Sequence, residues 1–501
     1  MNSESIFKKL NVLESSLDLS QFQIEGIDVW PLLRFQFVIK LNAQILGSEP
    51  SAQSYLARVG EKTRLIPGAL RGLFKQFIHD IWKGSSYQRN ADILLLTDTS
   101  AKRMQINGKW FDAFVDPILD HYEHQGISYQ ILETSQRFLF RSPGIRPSVL
   151  LLWTMIWSYA KSLITARKVN FSDRFLESYS TYEKMLGVLD VRGGQVNLRE
   201  LQMETSYILQ LIPVFEKIIQ HTSPKIVFMV PYNGYSGRAL TYVCKRFGIQ
   251  SVDIQHGIQG NYHPAYAQFS NVPKEGFNTL PSTFLTWSDN DTREINAWAA
   301  QIQETIAITL GNLFQNMFLG SNPHAISFDA IFQNTYIEKW GKRFILISLI
   351  WDHFLPEEFK ELLKNSREDY YFLIRFHPST TDRERQIVRR ELASLDVENY
   401  DLDSATKLPL YAVLRNVELN ITQRSSTVIE AAHFGVPSFI SDEIGIAYYS
   451  EYIESGRAFE YSGTEGILQF MDKSFKLTRD PQSDNRSDYR SVLDMITKVG
   501  K

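Results

Sequence analysis

The chain has 501 residues, 44% of them hydrophobic and 22% charged, with a formal net charge of −3 and a single cysteine, Cys244. That length accommodates two or three domains of ordinary size, and the composition is that of a folded chain rather than a disordered one. The slight acidity excludes a generic nucleic-acid binder, which carries a basic excess. One cysteine excludes an intrachain disulfide or a cysteine-rich zinc site and suits the reducing cytosol.

The opening MNSESIFKKLNVLESSLDLS holds no apolar signal-peptide core. Residues 1–88 read as a helical N-terminal region. Within it, Ile66, Leu70, Leu73, Phe74, Phe77, Ile78, Ile81 and Trp82 recur at helical spacing beside Arg58, Lys62, Arg64, Arg71 and Lys75. Such a basic amphipathic helix either packs on the protein's own core or lies on an anionic membrane face. The most apolar run, Val149 to Ile156, falls far short of the roughly 20 residues of a spanning helix. The expectation is a cytoplasmic protein, at most peripheral to the inner membrane.

From residue 89 the pattern changes to short apolar runs alternating with helical segments. ADILLLTD is followed by a helix over Phe111–Glu123, then GISYQILE, KIVFMVPY, a helix over Gly237–Phe247, IQSVDIQHG, STFLTWS, a helix after Asp291, and TIAITLGN. A second series runs RFILISLIW, a helix over Pro356–Asn365, YYFLIRFHP, a helix over Asp382–Leu395, VELNITQ, a helix over Thr427–Phe434, and VPSFISD. Continuous apolar runs are strands buried on both faces, and their alternation with helices implies right-handed crossovers and parallel sheets. The fold class is therefore α/β, with two Rossmann-type domains, 89–320 and 321–478, facing a cleft, and a helical tail over 479–501. Paired domains of this type bind ligands between them, at the carboxyl ends of the strands.

The polar residues at those strand ends are the candidate site. In IRFHPST, Arg375 and His377 stand where a strand opens to the cleft, and Pro378 fixes the turn; a histidine held there can donate to a phosphate oxygen, or the turn can be purely structural. In ITQRSSTVIEAAHFG, Arg424, Ser425, Ser426 and Thr427 form a turn at a helix N-terminus, where free N–H groups and hydroxyls suit a phosphate. Glu430 lies one turn on from Ser426 and is placed to reach a ribose hydroxyl, although plain helix capping also explains the serines. In the first series, Gln255, His256 and Gly257 end a strand facing the cleft, with His263 and Tyr266 further along the loop. Glycine allows close backbone approach, and His256 can contact a phosphate or act as base.

QHG, RFHP and SST..EA..FG.P follow one another in the order of the GT-B glycosyltransferases of bacterial surface polysaccharide assembly, which the chain resembles over residues 91–475. It is most similar to capsule and lipopolysaccharide transferases such as polysialyltransferases and Kdo transferases, and more distantly to CDP-glycerol polymerases. The resemblance implies that His377, Ser425, Ser426 and Thr427 bind nucleotide phosphates, that Glu430 contacts the ribose, and that no metal or other cofactor is needed. It also implies a first-domain carboxylate as base. The candidates are Asp98 at the end of ILLLTD, and Asp112 or Asp116 in NGKWFDAFVDPILD; Asp112 equally fits a helix cap. Tyr232 and Asn233 are expected on the acceptor side. The family's acidic–acidic–glycine motif is absent. The expected activity is sugar transfer from a nucleotide-sugar donor, with a lean towards a CMP-sugar, to a surface polysaccharide or lipid-linked glycan. A sugar-nucleotide epimerase of the UDP-GlcNAc 2-epimerase type, and an assembly protein that kept the fold without catalysis, are the alternatives.

Overall fold

The structure is a computed structural model, and it describes residues 3–45, 88–135, 143–191, 193–259, 262–303, 305–319, 323–350, 354–377, 380, 382–474 and 489–499. The basic amphipathic segment expected over residues 66–82, together with Pro378, lies outside the described residues.

Two parallel sheets organise the chain. The first contains β1 (Ile93–Asp98), β2 (Tyr129–Thr134), β3 (Val149–Leu150), β4 (Ile226–Met229), β5 (Gln250–Ile254), β6 (Thr283–Thr286) and β7 (Ile306–Thr309). Their order across the sheet is β7-β6-β5-β4-β1-β2-β3. The second contains β8 (Arg343–Ser348), β9 (Tyr370–Arg375), β10 (Tyr400–Asp401), β11 (Leu419–Thr422), β12 (Ser438–Ile440) and β13 (Ala458–Glu460), ordered β10-β9-β8-β11-β12-β13. Both are doubly wound, and in each the order reverses beside the first strand, between β1 and β4 and between β8 and β11. In such sheets the crevice for ligands opens at the carboxyl ends of those strands. The register brings Ser348, Arg375 and Thr422 to one level at the end of the second sheet.

Alternation along each strand decides which core each residue joins. Leu94, Leu96, Val227 and Met229 face a cluster shared with Ile6, Phe7, Leu10, Trp30 and Leu33, so the N-terminal helices Ser3–Ser15 and Trp30–Ile45 cover one face of the first sheet. Ile93, Leu95, Ile226 and Phe228 point the other way, into a cluster that continues through Phe314 and Tyr411 to Phe344 and Leu346 of the second sheet. The two sheets are thus joined by one apolar layer, with Phe111 stacked on Phe314 at 5.7 Å and Phe314 against Tyr411 at 5.0 Å. The C-terminal helix Tyr489–Val499 packs back on the first domain, where Tyr122 Oη donates to Leu493 O at 3.1 Å and Asp494 meets His121 at 2.8 Å.

Several expected boundaries shift. Residues 102–112 form a hairpin, Lys102–Ile106 against Lys109–Asp112, so the helix expected from Phe111 starts at Val115. The cause is Asn107-Gly108: both have positive φ, 51° and 77°, the backbone of a tight hairpin turn that splits the segment. Between β3 and β4 lie three helices, Leu152–Thr165, Asp173–Val188 and Leu198–Thr222, which the strand–helix alternation does not foreshadow. The connection is itself helical from Pro323, with Pro323–Phe332 running into a π turn, Gln333–Ile337. Among the described residues, no helix is long and apolar enough to cross a membrane.

Candidate functional site

The turn after β5 is held from beneath. Gln255 is wholly buried and donates to Gly257 O at 2.9 Å and to Asp291 Oδ2 at 3.2 Å, while its own Oε1 accepts from Trp287 N. Gln255 therefore sets the shape of the turn that presents its neighbours. His256 lies edge-on to Phe114, with ring centroids 6.4 Å apart at 88°, and its Nδ1 is buried without a hydrogen-bond partner. Burial, followed by the nearby charge of Arg103, lowers its pKa to about 4. At neutral pH the imidazole is uncharged.

The rest of the loop turns inward. Tyr266 is fully buried, and His263, whose pKa burial lowers to about 3, accepts Ala265 N on Nδ1 at 3.2 Å. Tyr232, expected on the acceptor side, is also wholly buried, against Tyr266 and Phe284. The N-terminal helices fasten this loop. Arg34, buried against Glu14 at 2.8 Å, donates to Pro264 O and to Ala267 O, the latter at 2.6 Å, and Glu14 accepts Ser270 N at 2.8 Å.

In the second domain, the Ser-Ser turn follows β11. Ser425 N donates to Thr422 Oγ1 at 3.2 Å, and Thr427 donates to Ser425 Oγ through both its amide and its hydroxyl. Those two hydroxyls satisfy each other. Ser426 stands at the seam: a Cβ built on Gly257 would lie 4.0 Å from both Cβ and Oγ of Ser426. The two turns therefore meet.

Glu430 is buried beneath them rather than exposed along its helix. Its Oε1 accepts Tyr411 Oη at 2.9 Å and stands 3.9 Å from Arg103 Nη1 of the first domain. Burial raises its pKa, and Arg103 and Tyr411 partly offset that. Arg375 donates to Ala405 O and Leu408 O, capping the short helix Asp403–Lys407, and Arg424 pairs with Asp442. His377 is exposed just past β9.

The three carboxylates offered as bases have structural partners. Asp98 accepts Ser100 N and Thr134 Oγ1, each at 3.0 Å. Asp112 is buried and accepts the amides of Phe114 and Val115 and the hydroxyl of Thr97, at 2.9, 3.0 and 2.8 Å, as a cap does. Asp116 accepts Asp112 N at 2.6 Å and Arg146 Nη1 at 3.0 Å; burial, with Asp112 beside it, raises its pKa to about 7. Sequence reasoning passed over Arg103, Phe114 and Tyr411. The hairpin register shifts between Lys102 and Met104, so Lys102 reaches Glu133 at 2.6 Å while Arg103, between them, stands near Glu430 of the second domain, a direction that regular alternation does not give. Among the described residues, no three His, Cys, Asp or Glu side chains gather as metal ligands.

No protein-family model matches the chain, and no curated protein does. Solved structures similar to it include the UDP-GlcNAc 2-epimerase of Neisseria meningitidis bound to UDP-GlcNAc, with a TM-score of 0.49 at 12% identity, covering 82% of this chain and 100% of that one. Another is the S. aureus MnaA–UDP complex, with a TM-score of 0.48 at 12% identity, covering 82% of this chain and 97% of that one. A third is the wall teichoic acid polymerase TagF, with a TM-score of 0.43 at 11% identity, covering 87% and 99%. With TM-scores below 0.5, these likenesses decide no activity.

Proposed function

We propose that the protein is a nucleotide-sugar-dependent glycosyltransferase whose donor binds at the seam between the Ser-Ser turn and the QHG turn, and whose acceptor is a glycan or lipid-linked glycan. The observation that carries this reading is the meeting of Gly257 with Ser426: two strand-end turns, one from each domain, converge at the crevice where doubly wound sheets take nucleotides. Half-buried Ser426 contributes a hydroxyl for a phosphate oxygen, and exposed His377 a second donor. Neutral His256, at the end of the QHG turn, is the candidate base for the acceptor's hydroxyl proton; with its pKa lowered to about 4 it is a weak base until a bound anion raises that value. Developing charge on the leaving phosphate is stabilised by fixed donors and by Arg103, which reaches from the first domain to within 3.9 Å of Glu430. Because the two turns nearly touch, a donor enters only when they part.

The test is a thermal-shift screen over UDP-, CMP-, CDP- and GDP-linked sugars, followed by product analysis with glycan acceptors. A binding nucleotide sugar raises the melting temperature by mass action, by about 2.7 kcal/mol of stabilisation at a hundred times Kd. His377→Ala and the Ser425→Ala/Ser426→Ala double variant are each expected to reduce that shift; unchanged affinity in both refutes the site. Acceptor-dependent release of nucleotide supports transfer. A sugar nucleotide inverted at C2 as the product overturns transfer in favour of epimerisation.

A further inference from the structure

Arg103 brings a charge to the seam that is loosely paired with Glu430 of the second domain. Its side chain is 24% exposed, and its guanidinium carbon lies 4.7 Å from the centroid of the Phe114 ring. Its Nε is buried without a hydrogen-bond partner, and the nearest carboxylate, Glu430 Oε1, stands at 3.9 Å, beyond hydrogen-bond reach. The same Phe114 ring meets His256, whose Nδ1 is the other buried and unpaired polar atom here. Buried donors and acceptors are nearly always satisfied, and leaving one unmade is costly. Two such atoms thus lie on side chains that touch one ring, beside the contact with Ser426.

The geometry points to an oxyanion subsite formed by Arg103, Phe114 and His256, which takes a phosphate or carboxylate group of the bound ligand. A guanidinium recognises an oxyanion through directed N–H donors, and a neutral imidazole carrying its proton on Nδ1 adds one more. Phe114 holds the guanidinium plane from one side, and Glu430, buried behind it, keeps Arg103 extended across the seam between ligand visits. The ligand's identity rests on the nucleotide-sugar reading, in which the oxyanion is either a donor phosphate or the carboxylate of an acidic sugar.

Isothermal titration of the full chain with UDP, CMP, inorganic pyrophosphate and glucuronate separates these sources, with His256 followed by imidazole NMR. At least one probe is expected to bind and to move the His256 resonances. Arg103→Ala should weaken that probe by about ten-fold or more and abolish the resonance shift. Arg103→Lys keeps the charge but lacks Nε and should weaken it less. Preference for pyrophosphate or the nucleotides assigns a phosphate; preference for glucuronate assigns a carboxylate. If Arg103→Ala does not fold, Arg103→Lys decides, and unchanged affinity there overturns the subsite. Binding of UDP or CMP that ignores both substitutions but is lost in the Ser425→Ala/Ser426→Ala variant overturns the subsite and leaves the nucleotide reading intact. Arg103-dependent binding of pyrophosphate or glucuronate with no response to any nucleotide keeps the subsite and removes that reading. Failure of all four probes overturns the subsite.

Discussion

Two glycines show how differently the same residue serves this fold. A Cβ on Gly237 would lie 2.4 Å from Pro231 O and 2.5 Å from Tyr232 O, so the first turn of its helix can sit against that backbone only because no side chain intervenes. Gly237→Ala is expected to cost about 2–3 kcal/mol, measured by chemical denaturation, since rigid backbone cannot move aside. Gly257 has no positive φ, and its added methyl would stand in ordinary contact, 4.0 Å from Ser426. Gly257→Ala should leave stability within about 0.5 kcal/mol of the native protein while reducing nucleotide-sugar binding. Equal loss of stability in both variants would show that the QHG turn is held by packing rather than kept open for a ligand. The residue scale is also where sequence reading succeeded unevenly. The placing of His256, Gly257 and Ser426 on turns at strand ends was legible because the apolar runs that precede them end there. Glu430 was legible as lying one helical turn from Ser426 but not as buried, because Tyr411 and Arg103, remote in sequence, decide its surroundings.

Among the elements, the C-terminal helix Tyr489–Val499 belongs structurally to the first domain although it follows the second. Leu493 and Ile496 are buried, at 0% and 1% exposure, in the apolar layer that joins the sheets, while Asp494 accepts from Gln125 Nε2 at 2.7 Å. Leu493→Ala removes buried side chain from that shared layer and is expected to lower the unfolding free energy by about 2–4 kcal/mol. Asp494→Ala, on the exposed side, should cost under about 1 kcal/mol. Similar small effects from both would mean that the helix is loosely docked. The hairpin Lys102–Asp112 teaches the complementary point. Its Asn-Gly turn is a local signal, readable without any structure, yet its consequence, delivery of Arg103 to the seam, depends on where the second domain stands.

For the molecule as a whole, buried carboxyls and imidazoles set opposing pH dependences. Asp253 is wholly buried, accepting Tyr232 N at 2.8 Å and Gln259 Nε2 at 3.4 Å, and burial raises its pKa to about 8. A carboxyl that holds its proton more tightly when folded makes the unfolded chain the poorer proton binder. Its contribution is present at low pH and lost as pH rises through the folded value. His256 and His263, lowered to about 4 and about 3, act in the other sense, and their contribution is lost as pH falls below the ordinary imidazole range. Above pH ~6.5 the imidazoles no longer contribute a slope, and Asp253 remains, with Asp116 and Glu204, both raised to about 7. Stability should therefore fall between pH ~6.5 and ~8, with Asp253 supplying about 2 kcal/mol of the change. Asp253→Asn should flatten that part of the denaturation profile; an unchanged slope would remove Asp253 as its source.

The alternation of apolar runs with helical segments determined by itself that there would be two parallel sheets, because strands buried on both faces require continuous hydrophobic sequence and parallel neighbours require crossovers. It also determined which short turns end at the crevice, since topology places strand carboxyl ends there. The tertiary structure alone decided that the N-terminal helices fasten the loop beyond QHG through Arg34 and Glu14, that Asp112 and Asp116 are engaged in capping and an ion pair, and that Arg103 meets Glu430 across the seam. Those outcomes join residues from separate elements, and in the last case positions 327 apart, so no local propensity or periodicity can encode them. They arise only when burial brings distant charges together and fixes which of them remain without a partner.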